Sequence, residues 1–256
     1  MGIEGRDPKE VILPAWLGQY EKEMDPIHWQ LTQFNSNIYI MEKIMNVDFS
    51  LLGTTTNNFW HLVFASMFET NVMILWRLVD PSDVTLNMRI LRDRIRDNLR
   101  DDSLRNEFDA LIGKSNYDSR IDKIHDKVSI LRHNRFGHFQ RKWIVKESPS
   151  LISDNYLPFP NLKEYGNTIG ELFELLCFSH GRELFLLDYS PNVIPSIGSD
   201  TRSDIEKLID LVIENSPFVN MPEDQPGYWP HFKKALPKKE IELMNYYRKR
   251  VGKDPI

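Results

Sequence analysis

Between Leu131 and Gln140 the chain reads LRHNRFGHFQ, which gathers two arginines, two histidines and an asparagine around one Phe-Gly pair. On a helix, each step of three residues turns a side chain back by about 60°. Arg132, Arg135 and His138 would then share a stripe roughly 120° wide. Phe136 points elsewhere and can anchor in a core, and Gly137 lets another backbone come close. An imidazole and two guanidiniums facing one space suit RNA cleavage without a metal. Histidine is the natural base for the 2′-hydroxyl proton near neutral pH. An arginine fork steadies the charge that gathers on the pentacoordinate phosphate. The leaving 5′-oxygen needs a proton back, from His133 or from a symmetry-related His138. The bare spacing is not specific, because Arg120 to His125 repeats it. A solvated helix end is the other reading of the same stretch.

Charge around these residues differs from charge overall. The 256-residue chain carries a net charge of −5, which argues against general nucleic-acid affinity through bulk charge. From Arg120 to Glu147, eight basic residues against three acidic ones give a local +5. That excess reads either as a phosphate-facing patch or as a solvated helix face with i,i+4 pairs.

The elements that must carry the stretch are helical. Apolar residues recur at helical spacing nearly throughout, with no hairpin signals and no internal repeat. Asp25-Pro26 reads as a helix start leading through Trp29, Phe34, Ile38 and Met41. Thr54-Thr55-Thr56 starts a second helix, apolar on most of its circumference and so expected in the middle of the bundle, which Asp80-Pro81 stops. A shorter helix follows over Leu86 to Leu99, its outer face mixing Arg89, Arg92, Asp93, Arg94, Arg96 and Asp97 as a solvated face does. Ser103 to Ile112 forms a short helix, and a helix from about Tyr117 delivers the opening stretch. Further helices are expected over Leu162 to Asp188, 202–214 and Lys238 to Val251, with a Pro-rich segment from Pro217 to Pro237. The expected fold is an all-α bundle over residues 25–190. Residues 1–24 precede it as an N-terminal segment containing a protease-recognition-like IEGR. Residues 191–256 follow as a C-terminal extension with a Pro-rich segment and terminal helix.

Much chemistry is absent from the sequence. It has no Gly-rich phosphate loop, no Cys/His set at zinc spacing, no HExxH and no GxSxG. No metal and no cofactor are expected. The lone Cys177 sits among leucines and reads as a buried, inert thiol. His28, His61 and His180 stand in apolar helical contexts and read as structural. No apolar run approaches the roughly 18 residues of a membrane span, and the charged N-terminus lacks a secretory h-region. A reducing cytoplasmic setting without membrane partners is the expectation.

The string LRHNRFGH resembles the signature of the HEPN superfamily of α-helical ribonucleases and RNA-binding domains. In that signature an Arg is followed by a polar residue, and a small residue precedes the final His. These places are Arg132, His133, Gly137 and His138. The upstream MILWRLVDP, from Met73 to Pro81, resembles the abortive-infection branch, where a long apolar helix ends in a similar Arg-Leu-x-Asp phrase. The resemblance covers residues 25–190. It implies a HEPN-like helical bundle that dimerises so that two motifs meet in one composite site. It also implies metal-independent endoribonuclease activity, used in phage defence or as a toxin. The partners are then RNA, a second copy of the chain and an antitoxin or regulatory protein. Arg132 would bind the scissile phosphate, His138 would be the acid/base, and His133 fills the polar position of the catalytic set. Asn134 and Arg135 are added from geometry as substrate-binding. Gly137 departs from the more usual alanine. Glu69 and Asn71, polar positions on the second helix, are candidates for support from behind, against the plainer reading of bonds within the bundle. The alternative function is a catalytically silent HEPN-type module that binds RNA or a protein.

Overall fold

In the computed structural model, residues 3–49, 52, 57–132, 157–178, 202–216, 219 and 237–255 are described. Among them the fold is all-α, with nine helices and no strand. An isolated antiparallel bridge joins Ile12 to Leu99.

The helices are α1 (Pro8–Val11), α2 (Leu17–Met45), α3 (Asn57–Val79), α4 (Met88–Asp97), α5 (Asp102–Lys114), α6 (Tyr117–Leu131), α7 (Phe159–Cys177), α8 (Asp204–Glu214) and α9 (Lys238–Arg250). Their starts have local causes. The Asn87 side chain accepts the Arg89 and Ile90 N–H groups at 3.0 Å. Asp101 accepts the Leu104 N–H at 2.9 Å. Ser203 and Glu206 form a reciprocal capping box at α8. Each such cap is worth about 1 kcal/mol.

The chain divides into two compact units, Met1–Ile38 with Met67–Leu187, and Tyr39–Ser66 with Asp188–Ile256. Helices α2 and α3 contribute residues to both. The core of the first unit is built from α2 (Met24, Ile27, Leu31, Phe34), α3 (Val72, Leu75, Leu78), α4 (Leu91, Ile95), α6 and α7 (Ile169, Leu172, Phe173). Gly166 of α7 lies so close to α2 that an added Cβ would sit 2.0 Å from the Phe34 ring. The first residues belong to this core as well: Ile3, Val11 and Ile12 are buried. The Arg100 N–H bonds to the Val11 carbonyl at 3.0 Å and the Leu13 N–H to the Asn98 carbonyl at 2.9 Å.

The second unit has its own core of Ile44, Phe49, Leu52, Trp60, Ile205, Ile209, Ile213, Met244 and Tyr247. Lys43 donates to Glu206 at 2.7 Å, and Arg202 and Arg250 both pair with the buried carboxylate of Asp210.

Two expectations need correction. The first long helix begins at Leu17, not at Asp25-Pro26, and Pro26 lies inside it. The apolar stripe Tyr20, Met24, Ile27, Leu31 runs through that point without a break. Pro26 is exposed, so the carbonyl that loses its partner can face water. Nor is α3 central along its whole length. Phe59 and Leu62 are 55% and 65% exposed, while Val72, Leu75, Leu78 and Val79 are buried. An all-round apolar helix does not announce which part of it will be covered. Its segment Asn58–Val79 is also long and apolar enough to cross a bilayer, with a third of its window buried.

Candidate functional site

Helix α6 positions the start of the opening stretch. Asn116 turns into it with φ of 53°, a left-handed conformation that asparagine tolerates. Tyr117 fixes the first turn by donating its hydroxyl to the Met88 carbonyl at 3.0 Å. Burial raises the Tyr117 pKa, so the phenol stays protonated and remains a donor. The stripe Ile121, Ile124, Val128 and Leu131 is fully buried at spacings of three and four. That stripe sets the rotation of the helix and so fixes where Arg132, the next residue, emerges.

Arg132 caps the helix, its N–H reaching the Val128 and Ser129 carbonyls. Its guanidinium carbon lies 4.2 Å from the centroid of the Trp76 ring. A cation placed over an indole gains about 0.5–2 kcal/mol. Arg132 is therefore held against Trp76. Trp76 stands in MILWRLVDP, so two separated strings meet at one contact. Trp76 was not assigned a role from sequence; its signal was its place in that phrase.

His133, Asn134, Arg135 and His138 lie outside the described residues, as do His180 and His231. Of the catalytic and substrate-binding set, Arg132 alone has a described position.

The supporting residues resolve differently. Asn71 is fully buried; it donates to the Phe34 carbonyl at 3.2 Å and accepts from Asn37 at 2.8 Å, which is the plainer reading of bonds within the bundle. Glu69 is exposed. Arg77 is exposed, and Asp80 accepts the Ser82 N–H at 3.2 Å in a local turn.

Several arginines elsewhere in the first unit face carboxylates. Arg89 pairs with Asp118 and Asp122, and Arg92 with Asp93 and Asp118, which joins α4 to α6. Arg96 chelates Asp109 at 2.7 and 2.8 Å and holds its carboxyl below the usual carboxylate range. Arg94 reaches the buried Glu23 at 2.5 Å. The mixed face of α4 is thus an ion-paired face. In the basic region, Arg120 pairs with Glu171 on α7, while Arg135, Arg141, Lys142 and Lys146 lie outside the described residues. His125 of the second Arg-His spacing sits 3.7 Å from Asp126.

No family model matches the chain, and neither a curated protein nor a solved structure matches it.

Among the described residues no group of three or more His, Cys, Asp or Glu side chains is placed to hold a metal ion. Cys177 is buried and its thiol bonds to the Phe173 carbonyl at 3.3 Å. His28 stacks on Phe173 with centroids 6.3 Å apart, as a structural histidine does. His61, expected to be structural, is exposed instead.

Proposed function

We propose that the protein is a metal-independent endoribonuclease of the HEPN type, acting in phage defence or as a toxin. The observation that carries this reading is the contact of Arg132 with Trp76. It joins the two strings, LRHNRFGH and MILWRLVDP, on which the family resemblance rests. In this reading Arg132 binds the scissile phosphate and offsets the charge of the pentacoordinate state. His138 takes the 2′-hydroxyl proton, and a histidine, His133 or the His138 of a second copy, returns one to the 5′-oxygen. Asn134 and Arg135 hold the flanking phosphate and ribose. The products are a 2′,3′-cyclic phosphate and a 5′-hydroxyl, so no water enters the cleavage step. A homodimer and a cytoplasmic setting belong to the same proposal, as does an antitoxin or regulatory protein.

A toxic ribonuclease halts growth when overexpressed, and its His138→Ala variant does not, since loss of the acid/base costs on the order of 10² to 10⁴ in rate. Equal growth of cells carrying wild type and variant at equal protein levels would count against the reading. It would favour the second reading, a silent RNA- or protein-binding module. The ion-paired arginines of α4 support that alternative only weakly: they leave that face little net positive charge with which to hold RNA.

A further inference from the structure

Trp60 is 4% exposed, and its indole N–H is buried with no acceptor among the described residues. A buried donor left without a partner costs free energy, which an incoming acceptor recovers. Trp60 also lines a cavity of about 560 Å³ in the second unit. That volume falls within the few hundred to about 1,000 Å³ usual for small-molecule sites. Ile44, Phe49, Phe64 and Leu243 stand beside Trp60 in the lining. Phe49 and Trp60 stack nearly parallel, with centroids 4.9 Å apart and planes 11° from each other. Phe59 braces Trp60 edge-on at 5.3 Å. The chain that carries Phe49 is held by the Val47 N–H, which bonds to the Ile44 carbonyl at 3.1 Å. The Asp48 N–H adds a bond to the buried Tyr247 hydroxyl of α9 at 2.8 Å. The aromatic wall is therefore set before any ligand arrives, which lowers the cost of binding.

An aromatic wall and an unanswered N–H on the same residue ask two things of a ligand. It needs a flat ring, because rings pack offset or edge-on against aromatic side chains. It also needs an acceptor, because an indole nitrogen can only donate. A conjugated carbonyl supplies the acceptor in the plane of the ring. We propose that this cavity binds a small aromatic carbonyl compound, its ring against the Phe49–Trp60 wall and its oxygen accepting the Trp60 indole N–H. Arg132 belongs to the other unit, so this site does not rest on the ribonuclease reading.

The test uses the full chain and two uncharged probes of the same shape, acetophenone and α-methylstyrene, in which a C=CH₂ group replaces the C=O. Titration of wild type is followed at the Trp60 indole N–H signal by two-dimensional NMR. Acetophenone should move that proton downfield with saturation, and α-methylstyrene should not, since it offers no oxygen. Affinities for both probes are then measured by ligand-observed NMR in wild type and in Trp60→Phe, which keeps an aromatic ring but removes the donor. Acetophenone should lose about fivefold more affinity than α-methylstyrene, the worth of one net hydrogen bond. Comparing losses cancels the different hydrophobicity of the probes. The wild-type titration needs no variant, so it decides the matter even where Trp60→Phe does not fold. No saturable shift with acetophenone, the same downfield shift with α-methylstyrene, or equal losses of both probes in a folded Trp60→Phe variant would each overturn the proposal.

Discussion

Arg132 lies over the indole of Trp76, 4.2 Å from guanidinium carbon to ring centroid. A residue that emerges at the end of α6 is thereby oriented by a residue of α3. The contact gives Trp76 a task that composition alone does not suggest: it orients the group assigned to the phosphate. Trp76→Leu keeps an apolar side chain against the core but removes the ring face. It should lower cleavage about tenfold, in line with the roughly 0.5–2 kcal/mol of such a contact. Trp76→Phe should lie between the two. Rates measured on protein with an unchanged helical circular dichroism spectrum would decide it, and an unchanged rate in Trp76→Leu would show that Arg132 is held by other contacts.

Asn71 tests whether polarity on α3 serves the site or the bundle. Its amide is fully buried, with bonds to Phe34 and Asn37. Asn71→Ala strands the Asn37 donor and should cost about 1–3 kcal/mol. The cleavage rate per folded molecule should stay the same. Denaturant unfolding together with activity at low temperature separates the two effects.

The close approach of α7 to α2 rests on Gly166. An alanine Cβ would meet Cε1 of Phe34 at 2.0 Å and Cζ at 2.5 Å. That overlap with a rigid ring cannot be relieved by a small rotation. Gly166→Ala should destabilise by about 1–3 kcal/mol, and adding Phe34→Leu should recover part of the loss, because the smaller side chain makes room. A double-mutant cycle by urea unfolding checks the coupling; additive losses would contradict it.

The second unit carries a pH-dependent pair. The Lys43 ammonium, aided by Ser203, holds the Glu206 carboxyl down to about 2, and the Glu206 bond in turn raises Lys43. A carboxyl whose folded pKa lies below its unfolded value stabilises fully above the unfolded range. That stability fades as pH falls from about 4.5 to about 2. Both partners are partly solvated, so the loss should be about 1 kcal/mol. Thermal unfolding at pH 7, 4 and 2.5 should show a steeper acid loss in wild type than in Glu206→Gln. Parallel curves would contradict it.

How much of this was legible beforehand follows from what each residue signals locally. Asn87, Asp101 and Ser203 are short polar caps before apolar stripes, and α4, α5 and α8 begin where those residues stand. Pro26 misled because a proline at a helix start and an exposed proline within a long helix look alike over a few residues. Only the continuing stripe of Tyr20 and Met24 distinguishes them. The exposure of Phe59 and Leu62 was illegible because burial depends on which partners arrive, and an apolar circumference is silent about partners. At the candidate site, the rotation of α6 was legible from the Ile121, Ile124, Val128, Leu131 stripe. The Trp76 contact was not, since it joins residues 56 positions apart.

The central claim is tested most directly by incubating purified protein with a mixed RNA pool in EDTA, with Arg132→Ala and His138→Ala alongside. The account predicts cleavage that survives chelation, leaves 2′,3′-cyclic phosphate ends and is lost in both variants. Intact RNA under every condition, or cleavage that persists undiminished in either variant, would contradict it.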